Sequence, residues 1–437
     1  MSRSVLVKLL LAGMPIGLGL AGLNGSYLLP IDHPAIQYSK APVDDAIARL
    51  QRRIDAGEVK LQTDDNFGYL RSVLRALDVS QSSQVLVFSK TSFQAPRIAP
   101  RTPRALYFND HLAIGFVRTG DVLEFASLDP KLGVVFYTLD QAPAAHPHFD
   151  RRDTCLQCHQ SGGTLGVPGL VVRSVFPDST GMPMFHAGTF VTDHRSPLKE
   201  RWGVWYVTGT HGTQSHMGNA VVEDRDRPDK LSNEGTRNLT DLHGKLDTGA
   251  YLTPDSDIVA LMTLEHQTQM VNLITRVGWE ARLAVYDSAA INQALGNPEG
   301  LSDSATHRIN SAAEELVDYM LFSGETRLTA PIKGTSDFAQ EFSRLGPKDQ
   351  QGRSLREFDM QTRMFRYPCS YMIYSEAFDA MPRVMRDRVY RRLWEVLSGK
   401  DSSAPFAHLS AADRKGIYEI LGATKIDIPS YWRPGGR

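Results

Sequence analysis

The chain has 437 residues, of which 42% are hydrophobic and 22% are charged. These proportions are typical of a globular protein that is long enough to bury a sizeable core. The formal net charge of −1 gives no reason to expect nucleic acid as a partner, and three cysteines are too few for a disulfide-rich scaffold.

The N-terminal segment has the pattern of an export signal. Arg3 and Lys8 precede an apolar run over residues 9–23, as in a secretory signal peptide. The run is shorter than the roughly 20 residues of a membrane-spanning helix, but no Ala-x-Ala cleavage site follows it. We predict that residues 1–25 form a signal peptide, with an uncleaved membrane anchor as the alternative. The mature chain is then periplasmic or otherwise exported, and attached to the cytoplasmic membrane if the anchor is retained.

Two helices and then a sheet are predicted after this segment. Apolar residues at helical spacing predict helices over residues 44–56 and 67–77. Short β-rich runs follow, separated by turn residues such as Asn109-Asp110 and Asp129-Pro130. They predict a meander of antiparallel strands over residues 85–88, 105–108, 112–117, 122–126 and 134–137.

Cys155, Cys158 and His159 belong to the sequence Cys-Leu-Gln-Cys-His. Two thiols one helical turn apart can reach the two vinyl groups of one porphyrin, and the adjacent imidazole can bind its iron. The motif therefore predicts one covalently attached haem c, with His159 as the proximal iron ligand. Residues 142–148 are rich in proline and alanine, and residues 161–164 contain two glycines. We therefore expect the motif to lie on a short helical turn between two loops. Strand-like runs that could cover a porphyrin face come next, over residues 170–176, 184–191 and 202–207.

Two other interpretations of these cysteines are open. A zinc site would need four protein ligands, and the only other cysteine, Cys369, is more than two hundred residues away. A redox-active dithiol or a small disulfide loop is the second alternative. Cys369 itself lies among aromatic and aliphatic residues, so we expect a buried and inert thiol.

The second axial position of the iron has several candidate ligands. His211, His216 and Met217 crowd into a loop punctuated by glycines, and loops of this kind commonly present ligands and catalytic groups. We predict His216 as the distal ligand, with His211, Met217 and His266 as alternatives.

The C-terminal half is predicted to be helical. A long helix over residues 258–287, N-capped by Asp255, carries His266 beside polar side chains that are expected to be paired inside the protein. Further helices are predicted over residues 304–322, 336–345, 370–380, 381–397 and 410–421. The expected fold class is α+β. Residues 26–250 would form the antiparallel meander and the haem-bearing loop region, and residues 251–437 a mainly helical region packed on it.

Four blocks of the sequence, residues 84–93, 155–159, 201–219 and 367–371, resemble those of a functionally uncharacterised family of exported bacterial monohaem, cytochrome c-like proteins. The resemblance covers most of the mature chain and implies one covalent haem in a large α+β protein. The chain is not similar to small soluble cytochromes c, whose haem lies near the start of an all-helical domain. It also lacks the second Cys-x-x-Cys-His of dihaem peroxidases.

Two functions follow as hypotheses. In the first, the haem transfers electrons to or from a redox partner protein, and a second protein ligand keeps the iron six-coordinate. In the second, the protein is a peroxidase- or oxygenase-like haem enzyme with an open distal site, where His211, His216 or His266 acts as acid or base. We favour electron transfer because it needs nothing beyond the haem that the motif indicates.

Overall fold

The computed structural model describes residues 28–296 and 300–432. The predicted signal peptide or anchor, residues 1–25, lies outside this part of the chain. Within the described ranges, no helix combines the length and the apolar character that crossing a membrane requires.

The predicted α+β fold class is confirmed, with an antiparallel sheet in the N-terminal half and a mostly helical C-terminal half. Strand order follows chain order, so the six-stranded sheet is a simple meander. Its strands are β1 (Val85–Val87), β2 (Arg104–Phe108), β3 (Leu112–Phe116), β4 (Val122–Asp129), β5 (Gly133–Asp140) and β6 (Phe149–Arg151). A separate two-stranded hairpin consists of β7 (Arg173–Val175) and β8 (Thr189–Val191).

The described residues form nine α-helices, two before the sheet, one short turn after it and six in the C-terminal half. They are α1 (Ala46–Asp55), α2 (Leu70–Ala76), α3 (Leu156–His159), α4 (Ile258–Leu295), α5 (Asp303–Met320), α6 (Phe338–Arg344), α7 (Glu376–Asp379), α8 (Arg383–Leu397) and α9 (Ala411–Thr424). The side chain of Ser410 caps α9 in a reciprocal capping box with Asp413.

The two faces of the sheet have different neighbours. On one face, the Tyr137 hydroxyl donates to Asp45, the N-cap residue of α1, at 2.6 Å, and Phe116 contacts Phe67 with ring centroids 5.8 Å apart. Because side chains alternate along a strand, Phe136 points to the opposite face, where its ring lies 4.7 Å from that of His159. The sheet therefore separates the N-terminal helices from the Cys-x-x-Cys-His segment.

Helix α4 is the central element of the fold. It begins at Asp257, whose side chain accepts hydrogen bonds from the backbone N–H groups of Val259 and Ala260; the sequence predicted Asp255 for this role. It is buried on almost every side in its first two thirds and contacts both β5 and α5. One continuous hydrophobic core thus connects the sheet to the helical half.

Candidate haem-attachment site

The Cys-x-x-Cys-His segment forms a single short helical turn. A 3₁₀ turn over Asp153–Cys155 continues directly into α3, and the buried side chain of Leu156 holds the turn against the core. Cys155 is half-buried, Cys158 is exposed, and neither thiol is in a disulfide. The turn therefore presents two free thiols about one helical turn apart at the protein surface.

His159 is held in one orientation by the backbone of Gly169. Its Nδ1 atom lies 3.0 Å from the Gly169 carbonyl oxygen, and the Gly169 N–H donates to the His159 carbonyl at 2.9 Å. A carbonyl oxygen can only accept, so Nδ1 carries the proton and the lone pair is on Nε2. Burial lowers the pKa of His159 below its ordinary value, which favours the neutral imidazole that binds metals.

Asn272 on α4 fixes the segment that holds His159. Its side-chain amide accepts from the Leu170 N–H at 3.0 Å and donates to the Leu170 carbonyl at 2.7 Å. A Cβ atom on Gly169 would lie only 2.1 Å from the Asn272 Oδ1 atom, so only glycine permits this approach. The orientation of the imidazole is thus set, through two neighbouring residues, by the central helix.

A partly buried ion pair crosses the sheet face beside the motif. The Nη1 atom of Arg104 on β2 lies 2.9 Å from an oxygen of Glu124 on β4. The ion pair spans the intervening strand β3 at Gly115, which has no side chain to block it. Glu124 also accepts hydrogen bonds from Ser92 and Gln94. The positive charge of Arg104 contributes to the lowered pKa of His159, and the negative charge of Glu124 opposes it.

Several large apolar side chains near this region are exposed. Val191 is 46% exposed. It packs against Gly163, four residues after His159: a Cβ atom added to Gly163 would lie 3.4 Å from the Val191 side chain. Phe93 is 68% exposed and lies between the two residues that bond to Glu124. Each of these side chains leaves apolar surface accessible to a ligand.

The donor set fits haem c better than it fits a protein-only metal site. Within residues 28–296 and 300–432, no three His, Cys, Asp or Glu side chains are grouped to hold a metal ion. A porphyrin supplies four nitrogen ligands of its own, so one histidine with a free Nε2 is enough to attach its iron to the protein. Two free thiols, this imidazole and the nearby apolar side chains are therefore compatible with the predicted cofactor.

The structure brings three of the four distal-ligand candidates together. The rings of His211 and His216 lie 4.8 Å apart, and Met217 follows directly in the chain. His216 Nδ1 accepts from the Gly218 N–H at 2.9 Å, and burial lowers the pKa of His216 to about 3. His211 Nε2 accepts from a backbone N–H at 3.2 Å, while its buried Nδ1 has no partner among the described residues.

One of the three, Met217, packs against the β7–β8 hairpin. The Ser174 hydroxyl on β7 lies 3.5 Å from the Met217 sulfur. Arg173 precedes Ser174 in the strand, so its side chain points to the other face, the face of its strand partner Val191 and of the segment after His159. Met217 therefore lies on the side of the hairpin opposite to the face that Arg173 and Val191 share.

The fourth candidate, His266, has both ring nitrogens engaged inside the helical half. Nε2 lies 2.8 Å from the Ser370 hydroxyl, and Nδ1 lies 2.9 Å from Nδ1 of His194. Burial lowers the pKa of His266 to about 3. The ring stacks on Phe322 and Tyr319, so His266 belongs to a buried aromatic cluster.

Arg201 connects the two groups of distal candidates. Its guanidinium lies 3.1 Å from Glu265 and donates to the His194 carbonyl, and its own carbonyl accepts from the Met217 N–H. Thr192 donates to Glu265 at 2.6 Å, and burial raises the pKa of Glu265 to about 7. Glu265, one of the polar side chains beside His266 on the long helix, is thus paired inside the protein.

Sequence reasoning identified the thiols and His159 but not the residues that orient them. Gly169, Asn272, Arg104 and Arg173 carry no local signature, because each acts on a residue that is distant in sequence. The polar side chains predicted beside His266 on the long helix were the one available signal, since Asn272 lies on that helix.

Comparison of the chain with protein-family models, with curated proteins and with solved structures gave no match. The function is therefore argued from the residues of the site themselves.

Proposed function

We propose that the protein is an exported c-type haem protein that transfers electrons through a single haem, covalently held by Cys155 and Cys158 with His159 as the proximal ligand. The observation that carries the proposal is the combination of two free thiols on one turn with an imidazole whose Nδ1 is fixed by Gly169. That hydrogen bond leaves Nε2 available for iron.

Each part of the segment has a role in this proposal. Each thiol would add across one vinyl group of the porphyrin, forming a C–S bond while the thiol hydrogen passes to the neighbouring carbon. The haem, when bound, supplies a one-electron iron couple. The hydrogen bond to Gly169 would make the His159 Nε2 atom a stronger donor to the iron, which would favour the oxidised state.

The surface position of the turn favours electron transfer. Cys158 is exposed, so a cofactor attached there would have one edge near the surface, where a redox partner protein can approach. The ring nitrogens of His266 are both engaged by neighbouring side chains, which disfavours this residue as a free acid or base. The haem-enzyme alternative accordingly depends on His211 or His216.

Attachment is tested by expressing the full chain in cells that mature c-type cytochromes and staining denaturing gels for haem. Wild type should keep its haem after denaturation, and Cys155→Ala together with Cys158→Ala should lose it. Cys369→Ala is the matched control, because it removes the remaining, fully buried cysteine. Equal staining of the double variant and the wild type would refute the proposed attachment.

A further inference from the structure

Arg173 is a cation that has no partner among the described residues. It is partly buried, its Nε atom is fully buried, and no hydrogen bond or ion pair satisfies its guanidinium within the described residues. By contrast, the buried Arg201 is paired with Glu265, and the partly buried Arg104 is paired with Glu124. Since a desolvated cation is costly unless it meets an anion, this position calls for an anionic ligand.

The side chain of Arg173 faces the segment that follows His159. Arg173 is the direct strand partner of Val191, so the two side chains share one face of the hairpin. The Val191 side chain packs against Gly163 on that face.

A second guanidinium approaches the motif from the large sheet. Arg104 is on the sheet face that carries Phe136, whose ring contacts His159. One of its nitrogens binds Glu124, but its Nε atom is buried and has no partner among the described residues. Each of the two sheets therefore contributes one Nε–H donor without a partner among the described residues, on the face that meets His159 or the segment after it.

We propose that Arg173, together with the Nε–H of Arg104, binds the two propionate carboxylates of the haem attached at Cys155 and Cys158. The inference rests on the proposed function, because it assigns ligands to the carboxylates of that cofactor. The planar guanidinium matches the geometry of a carboxylate and forms short, charge-assisted hydrogen bonds with it. Haem carries its two carboxylates on the edge opposite its vinyl groups, so thiols and guanidinium groups would hold opposite edges.

The pairing also sets the redox potential of the iron. A fixed positive charge near the haem disfavours the more positive ferric state, and a neutralised propionate stabilises that state less than a free one does. Loss of Arg173 should therefore lower the midpoint potential. Arg173 acts here as a positioning and charge-neutralising residue.

The test is a spectroelectrochemical titration of the full haem-bound chain, with Arg173→Gln and Arg173→Lys compared with wild type. We expect Arg173→Gln to shift the ferric–ferrous equilibrium by about tenfold, which is about 59 mV toward lower potential. Arg173→Lys keeps the charge and should stay closer to wild type. Arg383→Gln, which removes an 87% exposed arginine side chain on α8, is the matched control for the change in net charge.

The outcomes separate this inference from the proposed function. A shift in Arg173→Gln no larger than that in Arg383→Gln, with haem attached in both, would overturn the propionate assignment and leave the attachment intact. If Arg173→Gln does not accumulate, Arg173→Lys decides: a small decrease in potential with haem attached supports the assignment, because lysine keeps the charge but not the planar pair of hydrogen bonds, and a potential equal to that of wild type overturns it. A wild-type chain without covalent haem would overturn both proposals.

Discussion

The side-chain amide of Asn272 bonds both the N–H and the carbonyl of Leu170, at 3.0 and 2.7 Å. Leu170 is adjacent to Gly169, the residue that orients His159. The central helix and the candidate iron ligand are therefore mechanically connected, although 113 positions separate His159 from Asn272 in the chain.

Replacing Asn272 by leucine should destabilise the protein. The substitution leaves a donor and an acceptor of Leu170 without partners, which costs about 2–4 kcal/mol in free energy of unfolding. Urea unfolding at neutral pH measures the loss. Asn292 is the control on the same helix, because its side chain makes one exposed bond to Gly300; Asn292→Leu should change the free energy by less than about 0.5 kcal/mol. Equal losses in the two variants would contradict the proposed role of Asn272.

The three cysteines should differ in reactivity when the chain is made without haem attachment. Cys158 is exposed and should react with iodoacetamide first, and the half-buried Cys155 should follow. Cys369 is fully buried, and burial raises the pKa of its thiol, so it should react only after denaturation. Mass spectrometry of digested samples at successive times measures this order. Early labelling of Cys369, or none at Cys158, would be inconsistent with the structure of the motif.

Acid should destabilise the fold through its buried histidines. Burial lowers the pKa of His266 from 6.5 to about 3, so below about pH 6.5 the unfolded chain binds a proton that the folded chain does not. Stability is then lost as the pH falls from about 6.5 toward 3, at up to about 1.4 kcal/mol per pH unit for this histidine. Denaturant unfolding between pH 7 and pH 4 should show a slope that is smaller by up to one proton in His266→Gln. An identical slope in variant and wild type would exclude this contribution.

Carbon monoxide distinguishes the two functions. A six-coordinate electron carrier should give a low-spin ferrous spectrum that the gas does not alter, whereas an open distal site should bind it promptly. If His216 is the distal ligand, His216→Ala should change the spin state, while His266→Ala should not. A spectrum identical to that of wild type in both variants would exclude both residues as iron ligands.

Local patterns predicted most of the secondary structure, and long-range contacts account for the exceptions. The alternating runs before residue 140 gave five of the six strands of the large sheet, but β6 is only three residues long and follows a proline-rich stretch. Residues 202–207 were predicted to be strand-like, yet Trp202 and Val204 have positive φ angles of 70° and 77°. These angles break the strand, and only tertiary packing imposes them.

The same division holds for the candidate site. Cys155, Cys158 and His159 are predictable because their chemistry depends on spacing within one turn. The fixed tautomer of His159 is not, because it depends on Gly169 and, through it, on a helix about a hundred residues further along. That the guanidinium of Arg173 has no partner in the described part of the chain becomes visible only when its neighbours in the fold are known.

The measurement that tests the account most directly is the intact mass of the mature chain, purified from cells able to attach haem, together with its absorption spectrum. We predict a mass increase equal to one haem that survives denaturation, and a spectrum that changes reversibly on reduction and reoxidation. A colourless protein with the mass of the bare polypeptide would contradict the account.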